Sequence, residues 1–337
     1  MNAPAYVDEN GVRFAFDAPV NAVVWTGDAF AFALGDGAIA FAGPADADPQ
    51  AVIRAHAEAA LTAVAHRGGV ISGGDDGRLV FVNHAGAQEW ARERGWVECI
   101  AASPKTGIVA AGWGKNVLTF SADGKHIARF AHDSVVRGMT FDPTGKRLYC
   151  AHKDGVTQWM AGSATSVAKR LRWAGPHTDV VTSPDGRFLI TSMQDASLHG
   201  WRLEDGTDFR MPQYPQRPKS LSFLDQGKLM ATSGAEVVVV WPFVGPKGPM
   251  GQQAIMVGDP GNNVTRCAGA PTLAVVAAGY DNGKVSIFPM GAAQTAEIDG
   301  SAGSPVSGMA WSVDGKNLAF GREDGSAAIA RFPLIEA

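Results

Sequence analysis

The stretch SPDGRFLITSMQDASLHGW, residues 183–201, reads as a tight Asp-Gly turn, an apolar run, a second turn carrying an acid, and a further run ending in Trp201. An Asp-Gly pair between apolar runs signals a chain reversal, because glycine reaches the positive φ that a tight turn demands. Each run has the length of a strand rather than of a helix. The stretch is therefore most of a small antiparallel unit, and whether it stands alone decides the fold.

It does not stand alone. A short strand-like run comes before such a unit eight times, as VNAVVW at 20, LTAVAH at 61, VECIAA at 97, VRGMTF at 136, HTDVVT at 177, PKSLSF at 218, VTRCAG at 264 and VSGMAW at 306, with successive starts 36 to 46 residues apart. A turn follows, as in DPTGK at 142, SPDGR at 183 and SVDGK at 312, then a buried run, then a second turn such as DDG at 75, KDG at 153 or EDG at 323. A third strand comes after that turn and a weaker fourth precedes the next repeat. Four short strands per repeat of about forty residues is the pattern of a β-propeller blade. The chain is expected to be all-β, one domain over 1–337, built of four-stranded antiparallel blades.

A propeller must join its last blade to its first or leave unpaired edges. RFAFDAPVNAVVW at 13 lines up with RFAHDSVVRGMTF at 129, which marks residues 13–16 as an outer strand with no blade of its own before it. The eighth repeat ends with three strands, so the N-terminal strand is predicted to complete the last blade. Eight three-strand units plus one spare strand favour eight blades; a merged or degenerate first repeat would make seven.

Composition narrows the function classes. The 337 residues are 46% hydrophobic and 18% charged, with a formal net charge of −4. Basic residues are scattered, which argues against nucleic acid as a partner. The opening has no signal-peptide pattern and no apolar run approaches membrane-spanning length, so a cytoplasmic protein without membrane insertion is expected. Cys99, Cys150 and Cys267 lie far apart in strand-like runs and are expected to be buried thiols.

The repeats resemble the WD-repeat family along essentially the whole chain. In that family a histidine before the first strand, a Ser or Thr in the second, an aspartate in the next turn and a tryptophan in the third strand form a hydrogen-bonded set inside each blade. The resemblance assigns that structural role to His56, Ser72 and Asp76 in repeat two; to His132, Asp154 and Trp159 in repeat four; to Thr191, Asp195 and Trp201 in repeat five; to Trp241 in repeat six; and to Asp324 in repeat eight. The match is partial. Val82 stands where repeat two needs tryptophan, and Trp159, Trp201 and Trp241 are never followed by aspartate.

Enzyme constellations are poorly represented. The eight histidines make no paired ligand motif, though His152 and Asp154, two apart in one turn, allow a metal reading. SGGDDG at 72 has the glycines of a phosphate loop, but no helix follows it. No cofactor is expected. The alternative is a lactonase- or hydrolase-like propeller with a channel-bound divalent metal, which would draw on Glu98, Asp179, His177 and His66.

The inner strands carry more information. Aligned on the turns, their second positions are Asn21, Thr62, Glu98, Arg137, Thr178, Lys219, Thr265 and Ser307, all polar, and two residues on the positions are all apolar. The polar set is expected to ring one mouth of the channel, with Asp179 and Arg266 at its rim. Such a ring either satisfies strand backbone or binds a partner; on the second reading Glu98, Arg137, Thr178, Asp179, Lys219 and Arg266 contact another protein or peptide. The expected function is a monomeric, non-catalytic interaction scaffold. WARERGW at 90 and the irregular connection 242–263 are further surface candidates.

Overall fold

The computed structural model describes residues 5–258, 260–291, 295–300 and 303–332. Residues 333–337 at the end of the eighth repeat, and Asp259 in the long connection, lie outside them. Among the described residues helix is confined to Tyr6–Asn10 and a single 3₁₀ turn at Asp225–Gly227. Everything else regular is antiparallel strand, and the chain is an all-β propeller of four-stranded blades.

The turn that opens 183–201 shows why the sequence folds this way. Ser183 N donates to Phe188 O at 2.9 Å, Gly186 N donates to Ser183 O at 2.8 Å, and Gly186 takes a φ of 72°. Asp185 Oδ1 accepts from Ser183 Oγ at 2.6 Å and Arg187 N at 3.0 Å, so the turn's polar groups are satisfied locally. Phe188–Met193 and Leu198–Arg202 then pair with Leu189 opposite Trp201 and Thr191 opposite His199.

Among the described residues the strands form seven sheets, six of four strands and one of six. Eight separate blades were the favoured expectation, and the difference falls at repeats four and five. Lys169–Thr182 is one continuous strand that pairs with Arg147–Met160 through Lys153 opposite Pro176, then with Phe188–Met193 through His177 opposite Met193. The outer strand of repeat four thus runs into the inner strand of repeat five without leaving the pairing ladder. Repeat one, the expected place for a merger, keeps its own sheet of Val20–Trp25, Phe30–Leu34, Ala38–Ala42 and Ala51–Arg54.

The chain divides into two compact units, residues 53–218 and residues 1–52 with 219–337. In the first, repeats two to five pack through clusters such as Ile71, Val97, Ile100 and Trp113. In the second, the N-terminal strand Gly11–Ala15 pairs with Ser326–Arg331, Val12 opposite Ile329 and Phe14 opposite Ala327, and so completes the last blade as expected. The same repeat-to-repeat contact recurs inside each unit. A Cβ on Gly73, Gly279 or Gly321 would lie 2.5 Å from the side chain of Val97, Val306 or Val20, the first inner-strand residue of the following repeat or, for Gly321, of repeat one. Only glycine in the second strand lets that valine approach.

The clasp strand is fixed by charge as well as by pairing. Asp299 is fully buried and receives both Arg13 terminal nitrogens, at 2.9 and 3.2 Å, and Arg322 at 2.7 Å. Arg322 also donates to Gly283 O at 3.0 and 2.8 Å. Removing Asp299 leaves the Arg322 guanidinium buried without its counter-charge, while Arg13, 38% exposed, can turn to solvent. Asp299→Ala is expected to cost about 3–5 kcal/mol, read as a lowered urea midpoint at unchanged m-value.

Candidate interaction surface

The inner strands share a distortion that presents their second residue. In six repeats the ladder skips one residue, between Val20 and Ala22, Ala60 and Thr62, Val97 and Cys99, His177 and Asp179, Val264 and Arg266, and Val306 and Gly308. A bulge of this kind re-aims the side chain of the skipped residue. Asn21, Glu98, Thr178, Thr265 and Ser307 occupy it as the sequence spacing implies. In repeat two it falls on Leu61, not Thr62, because Thr62 pairs with Gly73 as Cys99 pairs with Gly112. The polar set is thus interrupted at one position; counting from the partner glycine rather than from the turn gives the right residue.

What these side chains touch divides them. In the unit 1–52 with 219–337, Thr265 Oγ1 lies 2.7 Å from Val306 O and 3.1 Å from Gly279 O, and Ser307 Oγ donates to Val20 O. Arg266 Nε donates to Ser307 O at 2.7 Å. These groups satisfy carbonyls that the bulges expose. Lys219 is exposed, its backbone N–H bound to Ser233 Oγ at 2.9 Å. In the unit 53–218, Thr178 Oγ1 lies 2.9 Å from Ser192 Oγ, and Asp179 Oδ1 accepts from Val180 N at 2.8 Å. Arg137 NH1 meets Glu98 Oε2 at 3.0 Å, and both side chains remain substantially exposed, at 53% and 42%.

The residues assigned to intrablade sets are also distinguished by geometry. In repeat two His56 Nδ1 lies 3.0 Å from Asp76 Oδ1 and Nε2 2.9 Å from Ser72 Oγ, while Asp76 accepts from Ala57 N and Arg78 N at 3.1 and 3.0 Å. In repeat four Trp159 Nε1 donates to His132 Nε2 at 3.1 Å, but Asp154, at a φ of 66°, accepts from Gly175 N instead of joining them. In repeat five His177 Nδ1 lies 2.8 Å from Thr191 Oγ1, whereas Asp195 bonds Ser197 Oγ at 2.6 Å and Arg210 at 2.8 Å. Asp195, Thr191 and Trp201 therefore do not form one bonded set: Trp201 packs its ring 5.8 Å from His177. Asp324 caps its turn by accepting from Ser326 N and Oγ at 3.0 and 2.7 Å. Trp241 is half-buried opposite Met230.

Elsewhere, His66 Nε2 lies 3.0 Å from Ala122 O and His152 Nε2 2.7 Å from Thr157 Oγ1. Among the described residues no three His, Cys, Asp or Glu side chains are grouped to hold a metal. The three cysteines are free and buried, and burial pushes the Cys99 and Cys267 thiols up to about 12. In WARERGW, Trp90 packs against Phe81 and Phe120, while Trp96 is 60% exposed. No described helix is long and apolar enough to cross a membrane.

One buried group escapes sequence reasoning. His199 is fully buried, stacks on Trp173 at 4.0 Å, and has no hydrogen-bond partner at either ring nitrogen, although Asp208 Oδ2 lies 3.5 Å from Nε2. Burial holds His199 down to about 4, against an ordinary 6.5, and does the same to His132. The unfolded chain therefore takes up protons below pH 6.5 that the folded chain refuses, so stability is full above that pH and falls as pH drops toward 4. His199→Phe keeps the stacking and removes the unpaired nitrogens. It is expected to unfold at an equal or higher urea concentration at neutral pH and to lose about 1–2 kcal/mol less on acidification to about pH 5, measured by urea titration.

Comparison with known proteins agrees with the repeat geometry. The family described as WD domain, G-beta repeat, matches residues 124–158. The human NACHT domain- and WD repeat-containing protein 1 is 23% identical over 190 residues, which are 55% of this chain and 12% of that protein. Among solved structures, the crystal structure of the computationally designed protein Ika8 superposes with a TM-score of 0.77 at 15% identity, covering 96% of this chain and 99% of the other. With the antiparallel four-stranded blades and the bonded His56, Ser72 and Asp76 set, these likenesses make the chain a β-propeller with a WD repeat at residues 124–158 and blades similar to WD repeats.

Proposed function

We propose that the protein is a non-catalytic interaction scaffold, offering the loop-bearing ends of its inner strands to a protein or peptide partner. The observation that carries this reading is the Glu98–Arg137 pair. Thr265, Ser307 and Arg266 spend their polar atoms on backbone carbonyls, which is the structural use of such positions. Glu98 and Arg137 bond each other in solvent, where an ion pair contributes roughly 0–1 kcal/mol to stability. Two opposite charges held on neighbouring inner strands at so small a structural return suit recognition. Exposed Trp96, two residues before Glu98, adds the aromatic anchor common in interface hot spots.

Thr178 and Asp179 belong to the inner strand of repeat five in that unit, and Lys219, exposed on its own unit, is a separate candidate contact, whereas Arg266 is committed to backbone carbonyls. The mechanism is rigid display. Strands fixed by neighbouring repeats hold their loops in place before binding, which lowers the ordering cost of association. The partner's chemistry follows from the pair: it must offer both a carboxylate and a cation, since each charge is exchanged for a new one on binding.

Charge reversal tests the reading. Arg137→Glu and Lys219→Glu are expected to leave the unfolding free energy within about 0.5 kcal/mol of the parent while reducing recovery of bound proteins from native lysate. Identical recovery by the parent and both variants would overturn it.

A further inference from the structure

The outermost strand of a sheet exposes unpaired N–H and C=O groups, and proteins discourage association there with charged side chains. Six of the seven sheets obey this rule, through Arg13, Arg54, Glu89, Arg129, Arg210 and Glu297 on their outer strands. The seventh does not. Its outer strand, Ile255–Val257, pairs on one side with Val238–Pro242, Met256 opposite Val239, and is the terminal strand of its sheet. Ile255 is 42% exposed and Met256 64%, and no ionisable residue occurs between Lys247 and Asp259.

We propose that Ile255–Val257 is a self-pairing edge, the occupant being the same strand of a second copy of this chain, in place of the monomer expected from sequence. The argument is one of charge and symmetry. A twofold antiparallel pairing sets the strand against itself, so Met256 faces Met256 and Ile255 faces Val257 of the second copy. Any charge at the centre would face its own like, which is destabilising across strands. Ile255–Val257 is the outer strand that meets this condition, while Arg13, Arg129 or Glu297 would each bring a like charge near the pairing axis. Exposed Gln252 and Gln253 on its flank carry both donors and acceptors, so they too are compatible with their own copies. A three-residue pairing is small, and the association is weak and concentration-dependent.

Sedimentation velocity of the full chain over a wide concentration range tests this. The parent is expected to shift from its monomer mass of 35.2 kDa toward twice that value as concentration rises. Met256→Lys and Met256→Glu should each remain monomeric with an unchanged unfolding midpoint, and mixing the two should restore the dimer because Lys then faces Glu. A parent that stays monomeric, single variants that dimerise like the parent, or a mixture that fails to associate would each overturn the proposal.

Discussion

The contact on which the architecture depends is the approach of one repeat's first inner-strand residue to the second strand of the repeat packed against it. Val97 against Gly73, Val306 against Gly279 and Val20 against Gly321 leave no room for a Cβ. A repeat of three or four short strands cannot cover both of its faces alone, so each apolar face must be buried by a neighbour. The glycines bring those faces into contact, and the polar side chains of the inner strands then bond carbonyls across the same junction, as Thr265 does to Val306. Packing and hydrogen bonding therefore reinforce one another at the same place.

That junction also explains why the inner-strand positions are not equivalent in function. A hydroxyl is short enough to reach the neighbouring carbonyl and is consumed there. Glu98 and Arg137 are longer, carry charge, and reach past the strand to each other and to water. The same register thus yields a structural tie in one repeat and a candidate contact in another. The acids of the second turn show the same economy. Asp76, Asp195 and Asp324 all bind within their turns, and only Asp76 also engages a histidine.

The closure of the last blade is a second, electrostatic solution to an edge. Without Gly11–Ala15, the strand Ser326–Arg331 would end its sheet with open backbone. Pairing covers that backbone, and the half-exposed Arg13 ties the covering strand to Asp299 and Arg322, both removed from solvent. The lineup of RFAF with RFAH revealed the strand in the sequence. The charge group was not legible, because Arg13, Asp299 and Arg322 share no spacing and meet only once the blade is closed.

Sequence alone determined the all-β class, the repeat length, the turns and the outer role of the N-terminal strand, because strand periodicity and positive-φ glycines are local properties. Bonding between distant residues was decided by tertiary structure. The bulge on Leu61, the departure of Asp154 and Asp195 from their expected sets, and the fusion of repeats four and five into one sheet all follow from strand register. A one-residue change in register reassigns a side chain without altering the local pattern that predicts a strand. The buried, unpaired His199 belongs to the same class: its sequence neighbours describe a strand, and only the packing of Trp173 and Trp201 around it makes its protonation costly.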